Sequence, residues 1–335
     1  MPTSRQEQNE RAAVSLETRQ ARLASADLRA QLAAATAVIV AARQAGKTGQ
    51  ALLDVVDRVL DAVRPQAAAV LQHALELAWK LGRRQVLGHA QGDHPPRPDG
   101  TLADVVVNAD ARARRRLTVA RELAHGLRMD SAQDVAAVLV AARRAATGLE
   151  TDAGWVVHRG ITLSKHVAAE EIGLALVWVA ERNACLNCLA YSGRVIAPGG
   201  LFPSGLTYGD HPLKTYGPLA GPPLHPNCRC QLDVTTLRPG ELDVGLAREA
   251  ARSVARGLTD HASTPARFRA VDRLVSRTPG IPDGAALLPR SVLDRARRNL
   301  RDNQFRFRPD TPSARAVIRE RARDRARRTA RAGRS

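Results

Sequence analysis

Apolar side chains recur at three- and four-residue intervals through the first 150 residues, the pattern of amphipathic helices. The pattern runs from Gln6 to Ala45, where Gly46 ends it, and it resumes from Ala51 to Val63. A third stretch runs from Gln66 to Leu81. Gly88 to Gly100, rich in glycine and proline, is predicted to be a loop. The N-terminal part of the chain is therefore predicted to be helical.

A capping box marks the start of the next helix. Ser131-Ala132-Gln133-Asp134 has the spacing of such a box, with Asp in place of the usual Glu or Gln. Gly148 is predicted to end this helix, because glycine is common just past a helix end. Thr162 is predicted to open another helix, which runs through Glu170 and Glu171.

The pattern changes near Leu174. Leu176 to Ala180, Arg194 to Ile196 and Cys230 to Val234 each have the pattern of a short strand. Pro198 to Pro223 is a long loop rich in Gly and Pro, and a loop of this length in a compact domain needs something to tie its ends together.

Helical patterns return after Pro239, from Glu241 to Leu258 and from Ala266 to Val275. The predicted fold is mainly α, with a helical N-terminal region, a short β unit that a metal ion crosslinks into a small α+β unit, and a helical basic tail. The predicted divisions are residues 1–128 (helical), 129–238 (the cysteine-containing domain), 239–276 (helical extension), 277–290 (linker) and 291–335 (arginine-rich tail).

Charge is concentrated at the C-terminus. The net charge is +18, and residues 291–335 carry 15 arginines against 5 acids. Such a density of positive charge attracts polyanions, so the tail is a candidate for nucleic-acid binding. Arginine outnumbers lysine in a way that indicates GC-rich codons, although codon bias does not explain the shortage of acids. The candidate nucleic-acid contacts are Arg319, Arg321, Arg323, Arg325, Arg327 and Arg328.

No segment favours a membrane location. The N-terminus is polar and lacks the apolar core of a signal peptide, and the longest apolar run, Leu32 to Ala42, is too short to span a bilayer. Of 335 residues only 3% are aromatic, while 44% are hydrophobic, which favours closely packed helices. We expect a soluble protein made in a reducing cytoplasm.

The four cysteines form two close pairs, Cys185-Leu186-Asn187-Cys188 and Cys228-Arg229-Cys230, and His225 precedes the second pair. A soft tetrahedral ion needs four ligands, and two close pairs supply them at a small cost in chain entropy, because a short loop already joins the two members of each pair. A structural zinc site is therefore predicted. Along a strand Cys228 and Cys230 would face opposite ways, so if the backbone is extended there, only one of the pair can easily reach the ion. The fourth ligand stays open between His225 and Cys230, and His225 is alternatively a partner that orients a thiolate.

Other interpretations remain. The cysteines could be buried thiols, or disulfides, which a reducing compartment disfavours. A nuclease of the HNH type would use Asp210-His211, but a convincing final Asn and His are missing. Ala41 to Thr48 fits a relaxed phosphate loop with Lys47 and follows apolar Ala37 to Val40, although a helix that ends at Gly46 fits better. Nothing specifies an active site, and the chain is not expected to be an enzyme.

The segment from Trp178 to Leu232 resembles the Mu F-type head-morphogenesis proteins, the minor head proteins of tailed phages. The resemblance consists of the Trp-Val strand, the Cys185 pair, Gly193 and Pro222-Pro223-Leu224-His225-Pro226-Asn227-Cys228-Arg229-Cys230. Glu181-Arg182-Asn183 departs from it, since the family often has an aspartate there. The segment Ala247 to Gly257 is similar to the one that comes after the motif in proteins of actinobacterial phages.

The resemblance implies a protein of few copies that docks near the portal and assists procapsid assembly. It implies as partners the portal protein and the scaffold or major capsid protein, with packaged DNA as a contact of the tail, and no membrane. The implied location is the host cytoplasm during assembly and then the virion head, and the implied work is binding.

Overall fold

The computed structural model describes residues 4–88, 95–181, 184–213, 217–225, 228–258, 263–276 and 284–302. The described residues group into two compact units, a helical unit, Ser4–Ala168, with which His225 and Cys228 are grouped, and a second unit built from Ala169–Leu224 and the described residues from Arg229 to Asp302. The expected domain boundary at residue 128 falls in the loop between two helices of the first unit.

The first unit is built from six helices, in agreement with the helical pattern of the sequence. The helices are α1 (Ser4–Gln44), α2 (Gly49–Asp61), α3 (Ala68–Leu87), α4 (Gly100–Val107), α5 (Ala109–His125) and α6 (Ala132–Glu171). On α1 buried residues recur every three to four positions along one face, all of them apolar except Gln20, so that a single stripe enters the core. Helix α1 packs on α2 and α3, and α5 packs on α2, α3 and α4.

The capping box at the start of α6 is confirmed. The Ser131 hydroxyl accepts a hydrogen bond from the Asp134 N–H (3.1 Å), and the Asp134 carboxylate accepts one from the Ser131 N–H (3.2 Å). These two bonds satisfy backbone donors that the first turn of a helix would leave without partners.

The predicted end of this helix at Gly148 is wrong, and so is the predicted start at Thr162, because α6 continues through both residues. The Arg116 guanidinium lies against Gly148, in the space that a Cβ would occupy. Beyond Gly148 the helix buries an apolar face, with Leu149, Ala153 and Val156 in the core, and this burial outweighs the low helix propensity of glycine.

Two glycines set the close approach of α3 and α6. A Cβ on Gly82 would lie 2.6 Å from the Ile161 carbonyl oxygen and 2.9 Å from the Ser164 Cβ. A Cβ on Gly160 would lie 3.0 Å from both Ala78 and Leu75. The two helix backbones therefore pack at a distance that larger residues at these positions would prevent.

The second unit contains a three-stranded antiparallel sheet with the order β2-β1-β3. The strands are β1 (Ala175–Val179), β2 (Val195–Ile196) and β3 (Gln231–Thr235), which confirms all three predicted strands. Helix α7 (Leu186–Tyr191) lies between β1 and β2 in the chain.

The two faces of the sheet have different cores. On one face Trp178 stacks on Tyr191 with ring centroids 4.8 Å apart, and Phe202 meets Trp178 edge-on at 5.2 Å. On the other face Ala175, Val177 and Val195 form a small apolar cluster against Leu237 and Leu246. The alternation of side chains along β1 supplies both cores.

Three helices complete the described part of this unit, namely α8 (Val244–Ala255), α9 (Thr264–Ser276) and α10 (Arg290–Arg301). They pack on one another, and α8 also packs on α7. The predicted helices in this region are confirmed, whereas residues 277–283 of the predicted linker lie outside the described residues. The arginine-rich tail is described only as far as residue 302.

One helix in the described part of the chain, Glu7–Gln44, is long and apolar enough by composition to cross a membrane. A core helix of a globular protein passes the same test, and Leu28, Leu32 and Ile39 of this helix are buried in the helical core. The length and composition of α1 are therefore weak grounds for a membrane location.

Candidate metal centre

The first cysteine pair is positioned by the turn that opens α7. Cys185 is the N-cap of this helix, in an extended backbone conformation, and its sulfur accepts a hydrogen bond from the Cys188 N–H with N···Sγ 3.5 Å. Hydrogen bonds donated to a sulfur favour its thiolate form, the form that binds metals. The local turn therefore holds the two thiols of the pair close together.

The second group of donors stands immediately before β3. The Cys228 N–H donates a hydrogen bond to the His225 carbonyl oxygen (3.1 Å). Pro222-Pro223, just upstream, is joined by a cis peptide bond. Cys230 follows at the point where the chain enters β3 at Gln231.

The fold brings these distant segments together. Ligand atoms of Cys185, Cys188 and His225 all lie within 4.8 Å of one another, and the same holds for the sulfurs of Cys188, Cys228 and Cys230. Ligands of a tetrahedral zinc ion stand about 3.8 Å apart, given Zn–S bonds of about 2.3 Å. All five predicted metal-site residues thus belong to one cluster, which could hold a metal ion.

The expectation that Cys228 and Cys230 face opposite ways is wrong. Strand β3 begins at Gln231, so the backbone from Cys228 to Cys230 is outside the strand and does not alternate as a strand does. Both sulfurs can therefore turn toward Cys188.

The cluster is largely enclosed. Cys188, Cys228 and Cys230 are buried, whereas Cys185 and His225 are partly exposed. All four cysteines are present as thiols and not as disulfides. Four thiols and an imidazole are the donors that a soft ion such as Zn²⁺ prefers. The donor set fits a structural zinc site, because an ion with four protein ligands has no position open for a substrate.

The long loop between β2 and β3 is tied down by side chains that the sequence did not single out. Asn187, between the two cysteines of the first pair, accepts a hydrogen bond from the Leu213 N–H (3.2 Å). The Tyr191 hydroxyl accepts one from the Leu206 N–H (3.3 Å). Burial raises the pKa of Tyr191 above its ordinary value of 10.0, and the nearby Cys188 thiolate raises the pKa further. Residues 15 or more positions apart form these bonds, so no local motif could reveal them.

Asp210 and His211, the candidate nuclease pair, do not join the cluster. Arg269 of α9 donates to the Asp210 carboxylate, and Arg273 lies 3.9 Å from it. His211 is exposed. Among the described residues, the metal-binding groups contain neither member of the pair. Asp210 instead anchors the loop to α9.

The candidate phosphate loop is helical. Ala37 to Val40 lies inside α1, which continues to Gln44, so no strand precedes Lys47. A nucleotide-binding fold needs further strands, but the valine run at residues 105–107 belongs to helix α4. Lys47 is exposed in the turn before α2, which agrees with the preferred interpretation of a helix end.

Two histidines outside the cluster, His158 and His125, each lie beside a carboxylate of the helical unit. His158 is buried, with Nε2 3.2 Å from the Glu17 carboxylate, and His125 lies 2.9 Å from Asp57 on the surface of the helical unit. Glu170 and Glu171 are exposed at the end of α6. The candidate nucleic-acid contacts, Arg319 to Arg328, lie outside the described residues.

Comparisons of the chain with models of protein families, with characterised proteins and with solved structures found no match. Inference about function therefore depends on the geometry of the cluster and on the sequence motif around it.

Proposed function

We propose that the chain is a phage minor head protein of the Mu F type, with a structural zinc site in its head-morphogenesis domain. The observation that carries the proposal is the cluster at Cys188. The two parts of the motif, Cys185-x-x-Cys188 and His225-x-x-Cys228-x-Cys230, are separated by a 36-residue segment, yet their donor atoms lie within 4.8 Å of Cys188. The metal-binding side chains of the motif that resembles the family thus lie close together.

Zinc in this cluster would have a structural role. It would join the turn before α7 to the segment that enters β3, and so close the loop between β2 and β3. Closing a long loop removes conformational entropy from the unfolded chain. A small sheet with a limited core gains most from such a crosslink.

The role we propose is to bind other head proteins during assembly in the host cytoplasm. The protein would then stay in the virion head. The helical unit offers surfaces for the portal protein and for the scaffold or major capsid protein. The arginine-rich tail would contact packaged DNA through phosphates, in a manner independent of sequence and sensitive to salt. We propose no catalytic activity.

The two other functions that the sequence suggested have less support. A nuclease would need Asp210 available to a metal or a base, but this carboxylate is engaged by Arg269 and Arg273. A nucleotide hydrolase would need a strand before Lys47, where the chain is helical.

The test is co-purification of the full chain with the portal protein encoded by the neighbouring gene, together with elemental analysis. One zinc per chain and retained portal protein are expected. Cys228→Ser should lose zinc and weaken portal retention, whereas Lys47→Ala, a matched surface change, should alter neither. If the zinc-loaded wild-type chain retained no portal protein, the assembly role would be contradicted.

A second experiment concerns DNA. Removing residues 303–335 should abolish binding of double-stranded DNA, while Cys185→Ser should leave the binding and its salt dependence unchanged. DNA binding that survives the deletion but is lost with the cysteine would favour a metal-dependent nucleic-acid protein.

A further inference from the structure

The first turns of α1 carry two rows of side chains on the side of the helix away from the core, into which Ala13 and Leu16 are buried. Members of a row are four positions apart, a spacing that places side chains one above another. The first row is Glu7, Arg11, Ser15 and Arg19, and the second is Glu10, Val14, Thr18 and Arg22. All are exposed except the half-buried Val14, and both rows line a cavity of about 890 Å³.

The charges in the two rows have the same order. Each row begins with a glutamate, Glu7 or Glu10, and ends with an arginine, Arg19 or Arg22. The two ends of a row are 12 positions apart, which is about 18 Å along a helix, so the acid and the base of one row cannot reach each other. A face with an acidic end and a basic end is complementary to a copy of itself that runs in the opposite direction.

Helix packing gives this complementarity a definite geometry. Two helices often pack with the ridges of their four-residue rows interdigitated, at an interaxial angle of about −50°. In an antiparallel pair of this kind, the first row of one copy lies beside the second row of the other. Glu7 then meets Arg22 of the second copy and Glu10 meets Arg19, and two-fold symmetry makes each contact twice. A parallel pair would instead place glutamates beside glutamates and arginines beside arginines.

The middle of the face is suited to a close approach. In the antiparallel arrangement Val14 lies beside Ser15 of the second copy, and these small side chains suit an interaxial distance of about 8–10 Å. Arg11 lies beside Thr18 of the second copy. The Thr18 hydroxyl donates its proton to the Val14 carbonyl oxygen (2.9 Å), so its oxygen can accept a hydrogen bond from the guanidinium.

Charge also separates a second copy from the other occupant that the chain offers, its arginine-rich tail. Residues 291–335 carry 15 arginines against 5 acids. Such a segment would attract Glu7 and Glu10 but would be repelled by Arg19 and Arg22. A second copy of α1 matches both ends of the face.

We propose that two copies of this chain form an antiparallel dimer through the outer face of α1. The proposal is independent of the zinc site and of the proposed function, because every residue that carries it belongs to α1.

The experiment is sedimentation velocity of the full chain over a range of concentrations. The wild type should form a dimer that weakens as salt rises from about 0.1 M to about 1 M, since salt screens exposed charge pairs. The double variant Arg19→Glu with Arg22→Glu should raise the dissociation constant about tenfold or more, because acids would then face acids. The matched control, Arg114→Glu with Arg115→Glu, makes the same charge change at exposed positions of α5 and should leave the dissociation constant unchanged.

A charge exchange tests the direction of the two helices. Adding Glu7→Arg and Glu10→Arg to the double variant reverses every charge at the ends of both rows, so an antiparallel pair is again complementary. This fourfold variant should dimerise about as tightly as the wild type. The substitutions exchange residues of similar helix propensity, so α1 should stay folded, and circular dichroism checks this.

Several results would overturn the proposal. One is a wild-type chain that stays monomeric at every concentration. Another is an assembly that the double variant leaves as tight as the α5 control does. A fourfold variant that is helical but does not recover the dimer would exclude the antiparallel arrangement. A chain that dimerises only after removal of residues 303–335 would assign the face to the tail.

Discussion

The sulfurs of Cys188 and Cys230 lie within 4.8 Å of each other, although one stands in the first turn of α7 and the other at the entrance to β3. Both are buried. Strand β1 precedes the first residue and pairs with the strand that follows the second, so the sheet register brings the two segments side by side. The candidate metal centre is thus an extension of the β1–β3 pairing.

Removal of zinc should loosen the sheet. A chelator is expected to increase hydrogen exchange in β1 and β3, because the ion, in the proposed site, would close the loop that joins β2 to β3. Exchange in α2 and α3 should not change, and these helices serve as the internal control. The measurement is hydrogen exchange by mass spectrometry before and after chelation, and identical protection of the strands in both states would contradict a structural role for the ion.

Gly193→Ala should destabilise the second unit by about 2–3 kcal/mol. Gly193 has φ +83°, and a Cβ there would lie 2.5 Å from the Asp243 carbonyl oxygen. The matched control is Gly205→Ala, at φ +81° with nothing within 4 Å of the added Cβ, which should cost only about 1 kcal/mol of backbone strain. Urea unfolding of both variants measures the difference, and equal losses would show that the contact with Asp243 does not matter.

Gly82→Ala should destabilise the helical unit by about 1–3 kcal/mol, because the added methyl meets the Ile161 carbonyl oxygen at 2.6 Å. Alanine normally stabilises a helix relative to glycine by about 1 kcal/mol, so the sign of the effect is diagnostic. Gly100→Ala, at the start of α4 with open space around the added Cβ, should be neutral or stabilising. Thermal unfolding measures the Tm of both variants. A higher Tm for Gly82→Ala as well as for Gly100→Ala would contradict the close α3–α6 packing.

Tyr191 should make the protein sensitive to alkaline pH. Since burial raises its pKa above the ordinary 10.0, the folded state binds the phenol proton more tightly than the unfolded state does. This stabilisation is complete below pH 10 and is lost as the pH rises from 10 toward the folded pKa. Tyr191→Phe removes the titrating group, so its stability should fall less above pH 10 than that of the wild type. Parallel stability curves for the two proteins in this range would contradict the prediction.

Local patterns were enough for much of the fold. The three strands and most helices follow from periodicity, because a stripe of apolar residues dictates which face is buried whatever its partner. The capping box at Ser131 was predictable because its two hydrogen bonds link residues three positions apart. The cysteine pairs likewise indicated a metal site, since each pair is local.

The errors all have tertiary causes. Gly148 looks like a helix end in isolation, and the apolar face that α6 buries beyond it allows the helix to continue to Glu171. The expectation that Cys228 and Cys230 face opposite ways assumed that both residues lie in a strand. The pairing of β3 with β1 begins only at Gln231, so both cysteines precede the strand.

The sequence by itself therefore determined the class of elements and indicated the five candidate donor residues, because these depend on residue type and short spacing. Tertiary structure decided which donor atoms lie close to one another, which of the donors are buried and where the long loop is anchored. Those properties depend on contacts between residues far apart in the chain, such as Asp210 with Arg269 and Cys188 with Cys230, whose partners no local pattern specifies.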